Sequence, residues 1–244
     1  MSKTCLICKE PTNQLSICET CAHELLLARN SYTYPLAYLR LSKTGEGIPG
    51  FFTTSMQLDK YHSSLLRSKN PNDIFLGLSS VVFWGYFIFG EAYSLNRTKW
   101  LQSGRDGQSG LVALGKRKLI HIVGSATQHI VNGRIDLGIK EISNIQELGQ
   151  ISFSSKITSF IEPKSCGIYD KVIHDQFKLM APNQGGVTRP KANKYMDYCQ
   201  YLKSIAIELN KGINLGYPWK WTDKNSSSYN WRTIDTERAI YSNR

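Results

Sequence analysis

The chain has 244 residues, 41% of them hydrophobic and 20% charged, with a formal net charge of +11 at neutral pH. That length holds one good-sized core, or one core and a small module, and leaves no room for a larger assembly of domains. The basic excess points to a polyanion, either nucleic acid or an anionic membrane surface, with a basic surface of no binding role as the alternative.

The first residues lack the apolar stretch of a secretory signal, so a reducing, cytoplasmic setting is expected and disulfides are not. Four of the six cysteines fall in the first 21 residues as Cys5-x-x-Cys8 and Cys18-x-x-Cys21. Each CxxC turn places two thiolates on one side of a metal, and two such turns complete a tetrahedron. Structural zinc is the expected occupant. His23 is a conceivable substitute ligand, and a redox CxxC pair is the weaker alternative. Residues 1–24 are read as a zinc knuckle and 25–244 as the main domain.

A short helical run follows the knuckle. Residues 43–50 are glycine-rich and read as a loop. Ser55 to Arg67 is predicted helical. Asn70-Pro-Asn-Asp73 is a helix start, with Asp73 as the cap of the apolar run Ile74 to Gly90. That run is at the lower limit for a membrane span and is read as a buried core helix, so no membrane partner is expected. Residues 94–118 are polar and carry several glycines, which predicts an exposed connection with room for a short helix. Ile139, Ile142, Ile145 and Leu148 recur every three residues and predict a helix ended by Gly149. Ile151 to Ile161 is predicted as the next helix, stopped before Pro163. Ala192 to Asn210 is another, with Met196, Cys199, Leu202, Ile205 and Leu209 on one face. The tail from Pro218 onward holds three tryptophans and is expected to pack across the core.

Chemistry concentrates between the predicted helix pair and the segment after it. The run Ile151-Ser-Phe-Ser-Ser-Lys156 is followed by Cys166-Gly-Ile-Tyr-Asp170. Breaking an N-glycosidic bond builds positive charge on the sugar, which a carboxylate stabilises, while a lysine amine freed of its proton serves as nucleophile. A lysine and an aspartate at this spacing also occur by chance. In that reading Lys156 is a solvated helix residue and Asp170 a helix cap.

The pattern Leu148-Gly-Gln-Ile-Ser-Phe-Ser-Ser-Lys156 … Glu162-Pro163 … Tyr169-Asp170-Lys171-Val-Ile173 resembles the helix-hairpin-helix DNA glycosylases. It looks closest to the prokaryotic 8-oxoguanine-glycosylase-like group. Val82-Phe-Trp-Gly85 and Trp231-Arg-Thr-Ile-Asp-Thr-Glu-Arg-Ala-Ile240 also resemble that group. The resemblance covers roughly residues 70–244. It implies a mostly α, helix-hairpin-helix fold, with Asp170 as catalytic aspartate and Lys156 as catalytic lysine. Its DNA contacts would come from Gly149, Ser152 and Ser154, and a further clamp is expected from Arg189, Lys191 and Lys194. Two departures stand out. The usual Leu-Pro-Gly-Val-Gly hairpin is Leu148-Gly-Gln-Ile-Ser152 here, and in one register Ser154 holds the position of the lysine, which would leave a hydrolytic enzyme without a lyase step.

The implied activity is excision of a modified base from DNA. Members of this group in antiviral systems suggest a phage-type hypermodified cytosine, such as a glucosylated hydroxymethylcytosine, with oxidised guanine as the alternative base. A non-catalytic zinc-knuckle adaptor on a degenerate scaffold is the rival class. Lys116, Arg117 and Lys118 form a second candidate phosphate clamp. Trp219, Trp221 and Trp231 are candidates for base stacking, and His174 for contact with the site.

Overall fold

The structure, a computed structural model, describes residues 3–42, 47–105, 107–177 and 191–243. Apolar residues recur at helical spacing over most of the chain, and the described residues form eleven α-helices and three two-stranded antiparallel ribbons. In chain order these are β1 (Lys3–Thr4), β2 (Pro11–Thr12), α1 (Glu19–Asn30), β3 (Ala37–Leu41), β4 (Gly47–Phe51), α2 (Ser55–Leu66), α3 (Pro71–Tyr86) and α4 (Glu91–Ser103). They continue with α5 (Leu111–Leu114), α6 (Lys116–Val131), α7 (Ile135–Ser143), α8 (Ile151–Ile161), α9 (Lys171–Phe177), α10 (Ala192–Asn214), β5 (Trp221–Thr222), β6 (Ser228–Tyr229) and α11 (Thr233–Ser242).

Helix α3 is the apolar run foreseen as a core helix. It is long and apolar enough to cross a membrane if its 3-10 extension to Phe89 is counted, yet it packs on α2, α4, α6 and α8. Its cap is Asn70, whose side chain accepts from the Asn72 amide at 2.9 Å, with Pro71 at the first helical position. Asp73 lies inside the first turn and accepts from Ser68 Oγ at 2.7 Å instead.

Two further expectations change. Residues 91–103 form α4, not an open connection. Only Ser94, Thr98 and Leu101 turn inward there, so the helix shows almost no apolar stripe in sequence. The glycine-rich segment contributes β4, which pairs with β3 from Ala37↔Phe51 to Leu41↔Gly47.

The predicted helix 139–148 is split. Helix α7 ends at Ser143, and Gln146–Leu148 forms a 3-10 turn. A repeat of three suits 3-10 geometry better than an α-helix, and Ile139, Ile142, Ile145 and Leu148 are all buried. Gly149 has φ −66° and does not serve as a left-handed cap. Helix α8 spans Ile151–Ile161 as expected and packs on α7 across the short hairpin.

The interior has two main apolar clusters. The larger joins α2, α3, α6, α7, α8 and the first half of α10. The second joins Leu15, Ile17 and Leu25 to Ile205 and Leu209 of α10 and to Trp219, Trp221 and Trp231. The three tryptophans are therefore core residues and are not available for base stacking. The knuckle shares this second core, and the residue-24 boundary falls inside α1.

Between the clusters lies a buried ion network. Arg29 of α1 meets Asp235 of α11 at 2.9 Å, and Arg232 meets Asp59 of α2 and Asp235 at 2.7 Å each. Arg238 grips both oxygens of Asp59. Burial opposes ionisation of Asp59, but Arg238 and Arg232 outweigh it and hold the carboxyl below its usual range.

His62, one turn after Asp59, is fully buried, with Nε2 2.9 Å from Ser80 Oγ and its ring against Phe160. Burial holds its pKa down to about 3, against the pull of Asp59. The unfolded chain takes up this proton near pH 6.5 and the folded protein does not until about pH 3. His62 therefore removes roughly 1.4 kcal/mol of stability per pH unit as pH falls through that window. Glu237, whose carboxyl is pushed up by burial, acts in the opposite direction. Comparing His62→Gln with the parent by urea unfolding from pH 7 to 4 isolates the histidine. The variant's stability should fall less steeply on acidification, by about that amount per unit.

Candidate functional site

Lys156 lies in the middle of α8 and is only 5% exposed. Most lysines avoid burial, so this one has a specific setting. Its stem runs against Gly85 of α3: a Cβ at residue 85 would sit 3.2 Å from Lys156 Cδ and 2.9 Å from the Phe153 ring. Its amine donates to Ser152 Oγ at 3.0 Å and lies 5.3 Å from the Phe153 ring centroid. Burial pushes the amine's pKa down, and the charges of Asp170 and Glu237 pull it only part of the way back.

Asp170 ends the loop that leads into α9. Three tethers fix that loop. Ser155 Oγ accepts from the Tyr169 amide at 3.0 Å, Tyr195 donates to the Gly167 carbonyl at 2.8 Å, and Tyr198 donates to the Ile168 carbonyl at 3.0 Å. Asp170 Oδ1 itself accepts from the Ile173 amide at 3.2 Å, so it does cap α9. Its second oxygen is left for other work. The structure thus brings Lys156 and Asp170 into one electrostatic environment without an ion pair between them among the described residues. His174 Nδ1 is held 3.0 Å from the Tyr169 hydroxyl beside this loop.

The residue missed from sequence is Glu237 of α11. It is 3% exposed, its Oε2 is buried without a partner, and it shares the field of Lys156 and Asp170. The signal was present as a charged pair, Glu237-Arg238, between apolar positions of a helix with an apolar face. Its proximity to Asp170 is tertiary.

A cavity of about 340 Å³ is walled by Tyr34, Ile88 and Tyr241, and Lys156, Asp170 and Glu237 are not among its lining residues. Tyr34 donates to the Gly85 carbonyl at 3.0 Å, which ties the cavity wall to the glycine under Lys156. Tyr34 packs on Trp84 with ring centroids 4.8 Å apart and planes tilted by 49°, and it feels the charge of Asp170 and Glu237. Ile88 and Phe89, at the 3-10 tip after α3, are 52% and 64% exposed.

The other expected contacts divide. Ser152 sits at the start of α8 and holds the Lys156 amine. Ser154 is fully buried, and its hydroxyl donates to the Gln150 and Ile151 carbonyls, which removes it as a phosphate contact or a nucleophile. The buried Gly149 amide is turned to the Gln146 carbonyl at 3.4 Å, a hydrogen bond within the hairpin and not a free phosphate donor. The start of α8 carries no side-chain cap. Lys191 and Lys194 are exposed at the start of α10, whose Tyr195 reaches the Asp170 loop. Arg189 lies outside the described residues. Lys116 and Arg117 are exposed, and Lys118 lines a cleft with hairpin residues 144–147.

At the other end of α1, the sulfurs of Cys5, Cys8, Cys18 and Cys21 all lie within 4.8 Å of one another. Zinc–sulfur bonds of about 2.3 Å in a tetrahedron place sulfurs about 3.8 Å apart, and Cys8 and Cys18 are 3.6 Å apart. Cys18 caps α1, and the Cys21 amide points to its sulfur at 3.4 Å. Burial acts to raise the Cys5 thiol, but the amides of Cys18, Cys8 and Ile7 bring it down to about 6. The compact geometry fits a metal of zinc's character. His23 is exposed and is not among the clustered ligands.

No protein-family model matches the chain, and no curated protein or solved structure matches it either.

Metal analysis of the purified protein should return one zinc per chain. Cys5→Ser should lower that stoichiometry and destabilise the second core, read as a lower thermal midpoint and quenching changes at the buried tryptophans. Full occupancy and an unchanged midpoint in Cys5→Ser would contradict the assignment.

Proposed function

We propose that the protein is a DNA glycosylase that extrudes a modified base from DNA and cleaves its N-glycosidic bond. The observation that carries the reading is the buried Lys156 amine. It is desolvated, held by the Ser152 hydroxyl, and set in the field of Asp170. Burial that lowers an amine's proton affinity makes it more available as a nucleophile, and a neighbouring carboxylate stabilises developing positive charge on a sugar. In the alternative register, with Ser154 in the lysine's place, Asp170 would direct water to displace the base, and the Ser154 hydroxyl, committed to helix carbonyls, would take no part in the chemistry.

Substrate class follows from charge and shape. The net charge is +11, and exposed lysines and arginines flank both the hairpin and the start of α10. Such groups neutralise phosphates and position a duplex without reading its sequence. The cavity at Tyr34 and Tyr241 is lined by aromatic faces that suit a flipped base. Helix α7, the 3-10 turn and α8 give the helix-hairpin-helix arrangement its place in this reading, although the hairpin lacks the usual glycines. The base we favour is a hypermodified cytosine of phage DNA, in an antiviral role; oxidised guanine is the alternative. In this account the zinc knuckle is structural.

The test is a count of abasic sites with an aldehyde-reactive probe. The protein is incubated with DNA carrying oxidised guanine and with phage DNA carrying glucosylated cytosines. Asp170→Asn is the control. Abasic sites should appear in one DNA only, and the variant should lose release by about 100-fold or more while still binding DNA. DNA binding without abasic sites in either DNA would favour the adaptor.

A further inference from the structure

The buried ion network is not balanced within itself. Three guanidiniums, of Arg29, Arg232 and Arg238, meet two carboxylates, of Asp59 and Asp235, which leaves one positive charge in excess. Glu237, next to Arg238 on α11, makes no ion pair with the three among the described residues, and its Oε2 has no partner. A charge held out of water without a counter-charge is costly, so an anion from outside would be welcome there.

Arg232 is the member of the network that reaches open space. Its Nε and Nη2 are committed to Asp235 and Asp59 at 2.7 Å each. Its Nη1 makes none of these bonds and stays open to solvent. Arg232 lines a cavity of about 590 Å³ between α2, the turn after α8 and the β5–β6 ribbon.

The other charges on that wall favour an anion. Lys60 of α2 and Lys164 after α8 line the cavity, are exposed, and form no ion pair among the described residues. The acids are already occupied. Asp59 is gripped by Arg238 and Arg232. Asp223 accepts from the Asn225 and Ser227 amides at 2.9 and 3.0 Å and from the Tyr229 hydroxyl at 2.9 Å. Glu162 lies 3.7 Å from Arg67 and accepts from the Lys164 amide at 3.2 Å. Met56 and Tyr229 add an apolar part to the same wall, and the Tyr229 ring is stacked on Trp221 at 4.6 Å.

We propose that this cavity binds a phosphate ester, its anionic oxygens met by Arg232 Nη1, Lys60 and Lys164 and its organic part set against Tyr229 and Met56. A guanidinium fixed by two carboxylates presents its remaining donor in one direction, and lysines add mobile point charges around it. One excess charge and two lysines suit a group that carries up to two negative charges on several acceptors. Neither Lys156 nor Asp170 lines the cavity, so the site does not depend on the excision reading. Two sources offer the group, a free nucleotide and the backbone of DNA.

The test uses the full-length protein and inorganic phosphate as probe, at constant ionic strength with chloride as the balancing anion. Amide shifts at Tyr229 and Arg232 are followed by NMR. The parent should show saturable shifts with phosphate and none with chloride. Lys60→Glu with Lys164→Glu should weaken binding by about tenfold or more. Lys99→Glu with Lys203→Glu changes the net charge equally, at exposed positions on α4 and α10, and should leave binding within about twofold. Glu162→Gln, which frees Arg67, should tighten binding by about threefold. No saturable shift in the parent overturns the proposal, and so does an equal loss in the two double variants. If the first double variant fails to fold, Glu162→Gln decides: binding that is not tightened overturns the site. Thymidine 5′-monophosphate and a short duplex are then added as competitors. Whichever displaces inorganic phosphate at the lower concentration names the source, and displacement by neither contradicts the proposal.

Discussion

The structure depends on five charged side chains that water does not reach freely. Arg29, Asp59, Arg232, Asp235 and Arg238 bind helices α1, α2 and α11 together across the gap between two apolar clusters. Taking such groups out of water is expensive, and the network holds because each carboxylate is met by more than one guanidinium. Removing one partner strands the rest, so such a network rewards a single geometry more than it adds net stability. Arg29 also stacks on Trp221 at 3.7 Å, which joins the charged centre to the tryptophan-rich tail.

That centre connects the elements that carry the cysteine cluster and the Lys156 group. The cysteine cluster organises the start of α1 through Cys18 and Cys21, and the same helix delivers Arg29 to the network. Helix α11, fixed by Asp235 and Arg238, delivers Glu237 to the opposite side, where Lys156 and Asp170 lie. Glu237 is therefore placed by a helix that the ion network anchors, with its stem close to Gly167 of the Asp170 loop. Ser16 of the knuckle donates its amide to Glu208 of α10 at 2.7 Å, and α10 carries the tyrosines that tether the Asp170 loop. The knuckle is thus braced against both elements that frame the site.

What sequence made visible followed from local chemistry. Two CxxC pairs bring four sulfurs together wherever the chain goes next, and α8 could be bounded to the residue because an apolar helical pattern met a proline. Lys156 and Asp170 were legible as residue types at a spacing; their burial was not, because it depends on Gly85 of α3 and on α10. Helix α4 was hidden because its inward face uses Ser94 and Thr98 in place of apolar residues. The break after Ser143 was hidden because a repeat of three also leaves its residues on one face of an α-helix over so short a span. Ser154 looked available because a helix pattern does not say which hydroxyls are consumed by the preceding turn. Glu237 joins the site through the packing of α11 on α1, α10 and α9, which no local pattern announces.

The central claim is that the Lys156 amine attacks the sugar of a nucleotide, and covalent trapping tests it most directly. The protein would be mixed with DNA bearing the released base's precursor in the presence of borohydride, which reduces a Schiff base to a stable bond. The account predicts a protein–DNA adduct whose modified peptide contains Lys156 and which is absent from Lys156→Gln. An adduct that persists in that variant, or base release with no adduct at all, would contradict it.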